Sequence, residues 1–189
     1  MKNAIILRGI QGSGKSTFIK NYLKDINICS ADNFFMSNGT YLFDFNRLYL
    51  AHKKCFEDFK NYIINSQDVV VDNTNITSSS YQKYIDLAKQ YDYNIIIIEF
   101  DGSKPPEYYA NRNLHNVTLD KIKEIIPKYK PINCNGVKIY RQKDDKFICY
   151  TQFLIKSTNE IINVHQNEFE QTISNYNQQD IQIIEFSWN

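Results

Sequence analysis

The sequence predicts an α/β fold in which a mainly parallel sheet is flanked by helices and a small β-rich appendage follows. Two observations carry this prediction. Short β-branched apolar runs alternate with stretches whose apolar residues recur at helical spacing, as expected of strand–helix–strand units. After Pro131 this alternation gives way to neighbouring extended segments. We therefore divide the chain into residues 1–130 and residues 131–189.

Strands and helices follow one another in turn through residues 1–130. The first strand is expected at Asn3–Arg8 and the first helix at Lys15–Lys24, with a glycine-rich turn between them. Because proline lacks a backbone donor, Pro127 is expected to bend or shorten the last helix. The other predicted elements are strands at Ile26–Ser30, Asp68–Asp72 and Tyr93–Phe100, and helices over 47–64, from Ser78, over Pro105–Asn113 and over Thr118–Lys130.

The extension at residues 131–189 is predicted to be β-rich. Val137–Gln142 and Lys146–Lys156 flank a polar tripeptide and indicate a hairpin. Residues 167–176 indicate a helix, and Ile181–Trp188 alternates like a final strand. Its role stays open between completing the core, forming a dimer surface and binding a substrate strand, and nothing indicates the oligomeric state.

Charge and cysteine content narrow the function classes. The formal net charge of +1 argues against a long nucleic-acid groove, although a few side chains could still hold a strand end. No apolar run approaches the roughly 18–20 residues of a membrane span, and the short stretch Ala4–Leu7 is not a secretory signal. The cysteines include no C-x-x-C pair, which argues against a structural zinc site and favours a cytoplasmic or nuclear location: Cys29, Cys55, Cys134 and Cys149.

A phosphate-binding motif lies between the first strand and the first helix. Residues 9–16 match the pattern G-x-x-x-x-G-K-[ST]. Glycine allows the positive φ angles and close backbone approach through which N–H groups converge on phosphate oxygens. Lys15 can reach the β- and γ-phosphates, and Ser16 can supply a hydroxyl to Mg²⁺. The motif predicts a nucleoside-triphosphate site formed by Gly9, Gln11, Gly12, Ser13, Gly14, Lys15, Ser16 and Thr17.

Two carboxylates follow predicted strands. Asp72 ends the run Val69–Val71, where P-loop folds place a carboxylate near the metal or its waters, although such aspartates also cap turns. Asp32 follows the second strand by two residues, on the side from which an acceptor would approach the phosphates. A carboxylate there can accept a hydroxyl proton, and the alternative role for Asp32 is a helix N-cap.

Arginine is scarce in this chain, which makes the position of Arg112 informative. It lies beyond the fourth predicted strand, between two predicted helices, where a guanidinium can swing over phosphates and neutralise a transferring group. A surface salt bridge is the alternative. From their positions alone, His52 and His115 are expected to have structural rather than catalytic roles.

With these residues in hand, the chain resembles the polynucleotide-kinase-like P-loop kinases. The near comparison is the kinase domain of animal ubiquitin-ligase-binding proteins, and phage 5′-hydroxyl polynucleotide kinases are more distant. Five blocks carry the resemblance, in order and at family-like spacing: Ile6–Thr17, Ser30–Phe35, Asn38–Asp44 with Ala51-His52, Val71–Asn75 and Arg112–Val117.

The resemblance implies a P-loop kinase that transfers the γ-phosphate of ATP to a 5′-hydroxyl of DNA or RNA with Mg²⁺, as in nucleic-acid repair. It implies that Asp32 activates the hydroxyl and that Lys15 and Arg112 stabilise the transferring phosphate, with Arg112 in a lid at residues 105–118. Ser16 and Asp72 would hold the metal. Further acceptor-side or lid residues would be Asn33, Phe35, Asn73, Thr74, Asn75 and His115.

Two departures concern the acceptor side. Several relatives have a second aspartate where this chain has Asn33, and phage-type enzymes have an acceptor-binding arginine where it has Phe35. Acceptor binding must therefore differ from the phage type. Phe34, Phe35 or Tyr41 could stack on a base or belong to the core. The paired His-x-Thr/Ser motifs of myelin-type phosphodiesterases are missing, which excludes that activity.

Three alternative functions are compatible with these observations. The first is a 5′-hydroxyl polynucleotide kinase. The second is a small-molecule kinase acting on a sugar, nucleoside or antibiotic hydroxyl, which the near-neutral charge and Phe35 favour. The third is a non-catalytic nucleotide-binding adaptor whose residues 131–189 recruit a partner.

Overall fold

The computed structural model describes residues 2–23, 25–132, 137–143, 146–165, 175 and 181–184. The helices are α1 (Lys15–Tyr22), α2 (Leu48–Ile64), α3 (Ser78–Gln90), α4 (Pro106–Ala110) and α5 (Leu119–Ile125), with short 3₁₀ helices at Ala31–Phe35, Phe45–Arg47 and Ile126–Lys128. The strands are β1 (Asn3–Arg8), β2 (Asn27–Cys29), β3 (Met36–Ser37), β4 (Thr40–Tyr41), β5 (Val69–Val71), β6 (Asn94–Glu99), β7 (Lys138–Lys143), β8 (Lys146–Ile155), β9 (Glu160–His165) and β10 (Ile181–Ile184).

One sheet organises these elements, in the order β10-β8-β7-β6-β1-β5-β2, with β9 paired to β8. The five strands from β7 to β2 run parallel. β8, β9 and β10 continue the sheet in antiparallel pairing. The prediction of a mainly parallel sheet flanked by helices is confirmed, while the division of the chain at residue 130 stays a prediction.

Both faces of the central strand β1 are covered by helices. Ala4 and Ile6 pack into one core with α2 and α3, whereas Ile5 and Leu7 pack into another with α1. Because successive side chains of a strand point to opposite faces, a strand buried on both sides must be apolar throughout. This requirement explains the continuous apolar runs of β1, β5 and β6.

The predicted element types are found, with small changes at the boundaries. α5 ends at Ile125 and a 3₁₀ helix follows over Ile126–Lys128, so Pro127 does shorten the last helix. The hairpin of β3 and β4 and the strand β9 were not predicted. The predicted helix at 167–176 lies outside the described residues, apart from Asn175. None of the helices among the described residues has the length and apolar character of a membrane span.

Candidate active site

The loop between β1 and α1 lies at the carboxyl ends of the parallel strands. Gly12 (φ 80°) and Gly14 (φ 100°) adopt left-handed backbone angles that favour glycine. At Gly9 a Cβ atom would lie only 2.8 Å from the Cβ of Phe100, so a side chain there would collide with the end of β6. No side chain caps the first turn of α1, and its N–H groups therefore remain available to an anion.

Lys15 is held inside this loop. Its buried Nζ donates to the carbonyl oxygens of Gly9 (3.0 Å) and Ile10 (3.1 Å). Burial lowers the pKa of Lys15 to about 8, and the charges of Asp72 and Asp32 act in the opposite direction. An anionic phosphate would favour the charged form of this lysine still more strongly than the two carboxylates do.

Ser16 and Asp72 form a pair of oxygen donors at the start of α1. The Ser16 hydroxyl donates to Oδ2 of Asp72 at 2.8 Å, and the Asp72 N–H donates to the carbonyl of Cys29 at 2.8 Å. Hydroxyl and carboxylate oxygens suit Mg²⁺, which commonly takes one or two protein ligands and completes its shell with phosphate and water. The residues predicted to hold the metal therefore fit that ion.

Asp32 lies in the 3₁₀ helix that follows β2, with its carboxylate half-buried. The cap of this helix is Ser30, whose hydroxyl accepts from the Asp32 N–H at 3.2 Å, so the carboxylate of Asp32 is not used for capping. One carboxylate oxygen accepts from the Tyr41 hydroxyl at 2.7 Å. The other lies 3.5 Å from Nε2 of His115.

Arg112 follows α4 and lies against the phosphate loop. Its Nε donates to the Gly12 carbonyl at 3.4 Å, and its guanidinium lies 4.9 Å from the centre of the Tyr108 ring. None of the ion pairs between described residues involves Arg112, so the alternative of a surface salt bridge is not what the structure shows. A Cβ at Gly12 would lie 2.3 Å from the Tyr109 carbonyl, which shows how closely this segment packs on the loop.

These side chains surround one open cleft of about 240 Å³. It brings together groups from four parts of the chain: Lys15, Ser16, Asp32, Asp72, Arg112 and His115. A second cavity of about 170 Å³ adjoins it on the other side of Arg112, between Thr17, Tyr22 and Tyr108. The two cavities share Gly14, Thr17 and Arg112, so one elongated ligand could occupy both.

The segment after Asp72 shapes the site mostly through hydrogen bonds within the protein. Buried Asn73 accepts from a backbone N–H of the Asp32 helix at 3.0 Å. The Thr74 carbonyl accepts from the N–H of Gly9 at 3.0 Å. Asn75 is buried and donates to a backbone carbonyl of β1 at 2.8 Å. Asn73 and Thr74 line the cleft, whereas Asn75 lies outside its lining and is hydrogen-bonded to the end of β1, just before the phosphate loop.

Of the remaining acceptor-side residues, two are exposed and Phe35 is buried. Asn33 is exposed, and so is His115, which lies at the cleft beside the Tyr41 ring, with ring centres 4.6 Å apart. Phe35 is 3% exposed and packs among core residues, so its ring presents no free face to a base. Of the two readings for Phe35, base stacking or core, the structure shows the core.

Two residues of the site region make contacts that the sequence did not predict. Tyr41 holds Asp32, but its place in a two-residue strand left no periodic signal. Arg8 is buried, pairs with Glu99, and donates to the Asn75 carbonyl at 2.8 Å, which ties β1 to the loop after Asp72. A charged side chain inside an apolar strand was the available signal for Arg8.

The sequence of this chain is similar to a known family and to proteins of known name. Residues 5–126 match the family model AAA_33, described as an AAA domain. Human NEDD4-binding protein 2 is 32% identical over 136 residues, which are 67% of this chain and 8% of that protein. A protein of Acanthamoeba polyphaga mimivirus, named as a bifunctional polynucleotide phosphatase/kinase, is 31% identical over 144 residues, 75% of this chain and 29% of its own length.

A third relative covers more of both chains. The L-seryl-tRNA(Sec) kinase of Methanococcus maripaludis is 25% identical over 171 residues, 87% of this chain and 66% of that one. This chain therefore spans less than two thirds of each of these three relatives.

Solved structures show the same fold at low identity. A chain of the Pnkp1/Rnl/Hen1 RNA repair complex superposes with a TM-score of 0.55 at 22% identity, covering 69% of this chain and 48% of that one. A sugar kinase from Janibacter sp. HTCC2649 superposes with a TM-score of 0.51 at 13% identity, covering 75% of this chain and 86% of that one. At these identities the likeness concerns the fold alone.

Proposed function

Because this chain belongs to the AAA_33 family of AAA domains, whose members adopt a P-loop kinase fold, we propose that it transfers the γ-phosphate of ATP to a 5′-hydroxyl of DNA or RNA. One observation carries the proposal: the carboxylate of Asp32 lines the same cleft as the phosphate loop and Arg112. A proton acceptor opposite a phosphate site is what transfer to a hydroxyl requires.

In the proposed reaction Asp32 accepts the proton of the acceptor hydroxyl. The hydroxyl oxygen then forms a bond to the γ-phosphorus while the bond to the ADP oxygen breaks. Lys15 and Arg112 lie where they would balance the charge on the transferring group, and arginine contributes a planar fork for phosphate oxygens. Ser16 and Asp72 would hold Mg²⁺, which supplies further positive charge at the phosphates.

We place the nucleoside of ATP in the adjoining cavity. It opens directly from Gly14 and Thr17 of the phosphate loop, and the rings of Tyr22 and Tyr108 line it. Aromatic faces of this kind suit a purine base. The triphosphate would then pass under Arg112 toward Asp32.

Support for a polynucleotide acceptor comes from the relative named as a polynucleotide phosphatase/kinase, which is 31% identical over three quarters of this chain. A second candidate acceptor is a hydroxyl of another kind. It is favoured by the similarity to L-seryl-tRNA(Sec) kinase over 87% of this chain and by the absence of a cation at Phe35.

The direct test is transfer of label from γ-labelled ATP, with Mg²⁺, to single-stranded DNA and RNA carrying a 5′-hydroxyl. We expect a labelled 5′ end for wild type and a strong loss for Asp32→Asn. The same assay is run with seryl-tRNA, sugars, nucleosides and aminoglycosides as acceptors. Label on one of these and on no nucleic-acid end would establish the second candidate. Tight ATP binding without transfer to any acceptor would favour a non-catalytic adaptor.

A further inference from the structure

An exposed aromatic surface lies next to the proposed base and has no part in the reaction described above. It is formed by the end of the β3–β4 hairpin and the beginning of α2. Phe43 is 53% exposed, Phe45 74% and Tyr49 75%, and the neighbouring Leu42 and Leu50 are also exposed. Single exposed rings are ordinary, but several within one short segment beside a cleft indicate a binding surface.

This surface is connected to Asp32 through direct contacts. The Phe43 ring lies nearly parallel to the Tyr41 ring, at 16° with centres 6.4 Å apart, and Tyr41 donates to Asp32. Phe43 also packs on buried Phe35 at 5.1 Å. Only the Tyr41 side chain therefore separates the Phe43 ring from the Asp32 carboxylate, at which the acceptor hydroxyl would lie.

An exposed cation, Arg47, lies in the same segment of the chain, between Phe45 and Tyr49. The guanidinium of Arg47 lies 4.8 Å from the centre of the Phe34 ring, and no carboxylate in the described part of the chain pairs with it. The other arginines are placed elsewhere: Arg8 and Arg141 contact Glu99, and Arg112 lies on the phosphate loop. Arg47 is thus the arginine available to an acceptor phosphate.

We propose that Phe43, Phe45, Arg47 and Tyr49, here called the acceptor surface, bind the single-stranded segment that follows the 5′-terminal nucleotide of the substrate. The inference rests on the proposed kinase activity. Exposed rings stack on bases of any sequence, and a cation among them contacts the backbone phosphates. A duplex would hide the base faces, so the occupant is a single strand. Arg47 would supply the phosphate contact that Phe35 cannot make.

The test compares two acceptors, a single-stranded hexadeoxynucleotide and thymidine 3′-monophosphate, both with a free 5′-hydroxyl. We expect the ratio of kcat/KM for the hexamer to that for the mononucleotide to fall at least tenfold in Phe45→Ala/Tyr49→Ala, and by a similar factor in Arg47→Glu. Matched controls are Tyr91→Ala, an exposed ring beyond the end of α3, and Lys60→Glu, near the end of α2. Neither control should change the ratio.

An unchanged ratio in folded acceptor-surface variants would overturn the proposal. So would sedimentation showing that wild type is a dimer that these variants dissociate, because a second copy would then cover the surface. If wild type labels no nucleic-acid end, the kinase proposal fails, and anisotropy of a 3′-labelled hexamer decides the surface separately. Binding that the variants lose would support the surface, and no binding by wild type would overturn it.

Discussion

The Tyr41 hydroxyl donates to Oδ1 of Asp32 at 2.7 Å, so a hairpin residue holds the carboxylate proposed as the base. On the other side, Nε2 of His115 lies 3.5 Å from Oδ2. Burial and the contact with Asp32 raise the pKa of Tyr41 well above its usual value, so its hydroxyl stays a donor at any ordinary assay pH. The orientation of Asp32 therefore depends on both the hairpin and the segment after α4.

Replacing Asp32 by Asn tests the proton-accepting role. Asparagine keeps the size and can still accept from Tyr41, but it cannot accept the hydroxyl proton. We expect kcat for transfer to fall by about 10²–10⁴-fold while ATP affinity changes little. The control is Asp92→Asn, in the turn before β6, where a left-handed backbone angle also suits asparagine. Equal kcat in the two variants would contradict the role of Asp32.

Tyr41→Phe tests the positioning role of the hydroxyl. A hydrogen bond to a charged group contributes about 1.5–3 kcal/mol, so its loss should lower kcat by roughly tenfold or more. KM for ATP should stay the same because Tyr41 does not contact the phosphate loop. Tyr93→Phe, whose hydroxyl donates to the Ile63 carbonyl at 3.1 Å, serves as a control. A higher KM for acceptor at unchanged kcat would instead assign Tyr41 to substrate contact.

The lowered pKa of Lys15 predicts how ATP binding depends on pH. In the free protein this lysine loses its proton above about pH 8, whereas bound phosphates favour the protonated form. ATP affinity should therefore be constant below pH 8 and fall by up to about tenfold per pH unit above it. Calorimetry at pH 8.5 in buffers of different ionisation enthalpy should show proton uptake. Lys15→Met should bind weakly, with neither the pH dependence nor the uptake.

Arg112→Lys separates positive charge from guanidinium geometry. Lysine keeps the charge but loses the planar fork and the contact with the Tyr108 ring. We expect single-turnover transfer to slow by roughly a hundredfold or more at saturating ATP. Transfer within twofold of wild type would mean that Arg112 contributes only charge or packing.

The buried contact between Arg8 and Glu99 predicts a large effect on stability. Glu99→Leu leaves the Arg8 guanidinium buried without its carboxylate, which typically costs about 3–5 kcal/mol in the free energy of unfolding. Urea denaturation measures it. Asp58→Ala breaks the exposed pair with Lys54 and should cost less than about 1 kcal/mol. A loss below about 1 kcal/mol for Glu99→Leu would show that water or the backbone carbonyls that accept from Arg8 compensate for the missing carboxylate.

The features that could be predicted from sequence are those formed by residues close together in the chain. The loop at residues 9–16 needs its glycines, lysine and serine at a fixed short spacing, continuous apolar runs predict β1 and β6, and apolar residues at helical spacing predict α2. The pairing of Arg8 with Glu99 depends instead on the register between β1 and β6, where these two residues are opposite each other. Such a register is decided by packing on both sheet faces.

The contact between Tyr41 and Asp32 could not be predicted for a similar reason. It depends on a hairpin with strands of two residues each, which are too short to show any period. The 3₁₀ helix Ala31–Phe35 is also too short to show a period, so the sequence left Phe35 open between core and base stacking, and its burial decides for the core. The contacts of the proposed acceptor side could therefore be found only in the structure, whereas the phosphate loop could be predicted from sequence.

The position of β7 in the sheet has a consequence for synthesis on the ribosome. β6 carries four consecutive isoleucines and is hydrogen-bonded by β1 on one side and β7 on the other. Since β7 begins only at Lys138, the second edge of β6 stays open while the intervening chain is translated. An open apolar edge pairs readily with other chains. The nascent protein therefore passes through an aggregation-prone interval that ends when β7 is released and docks.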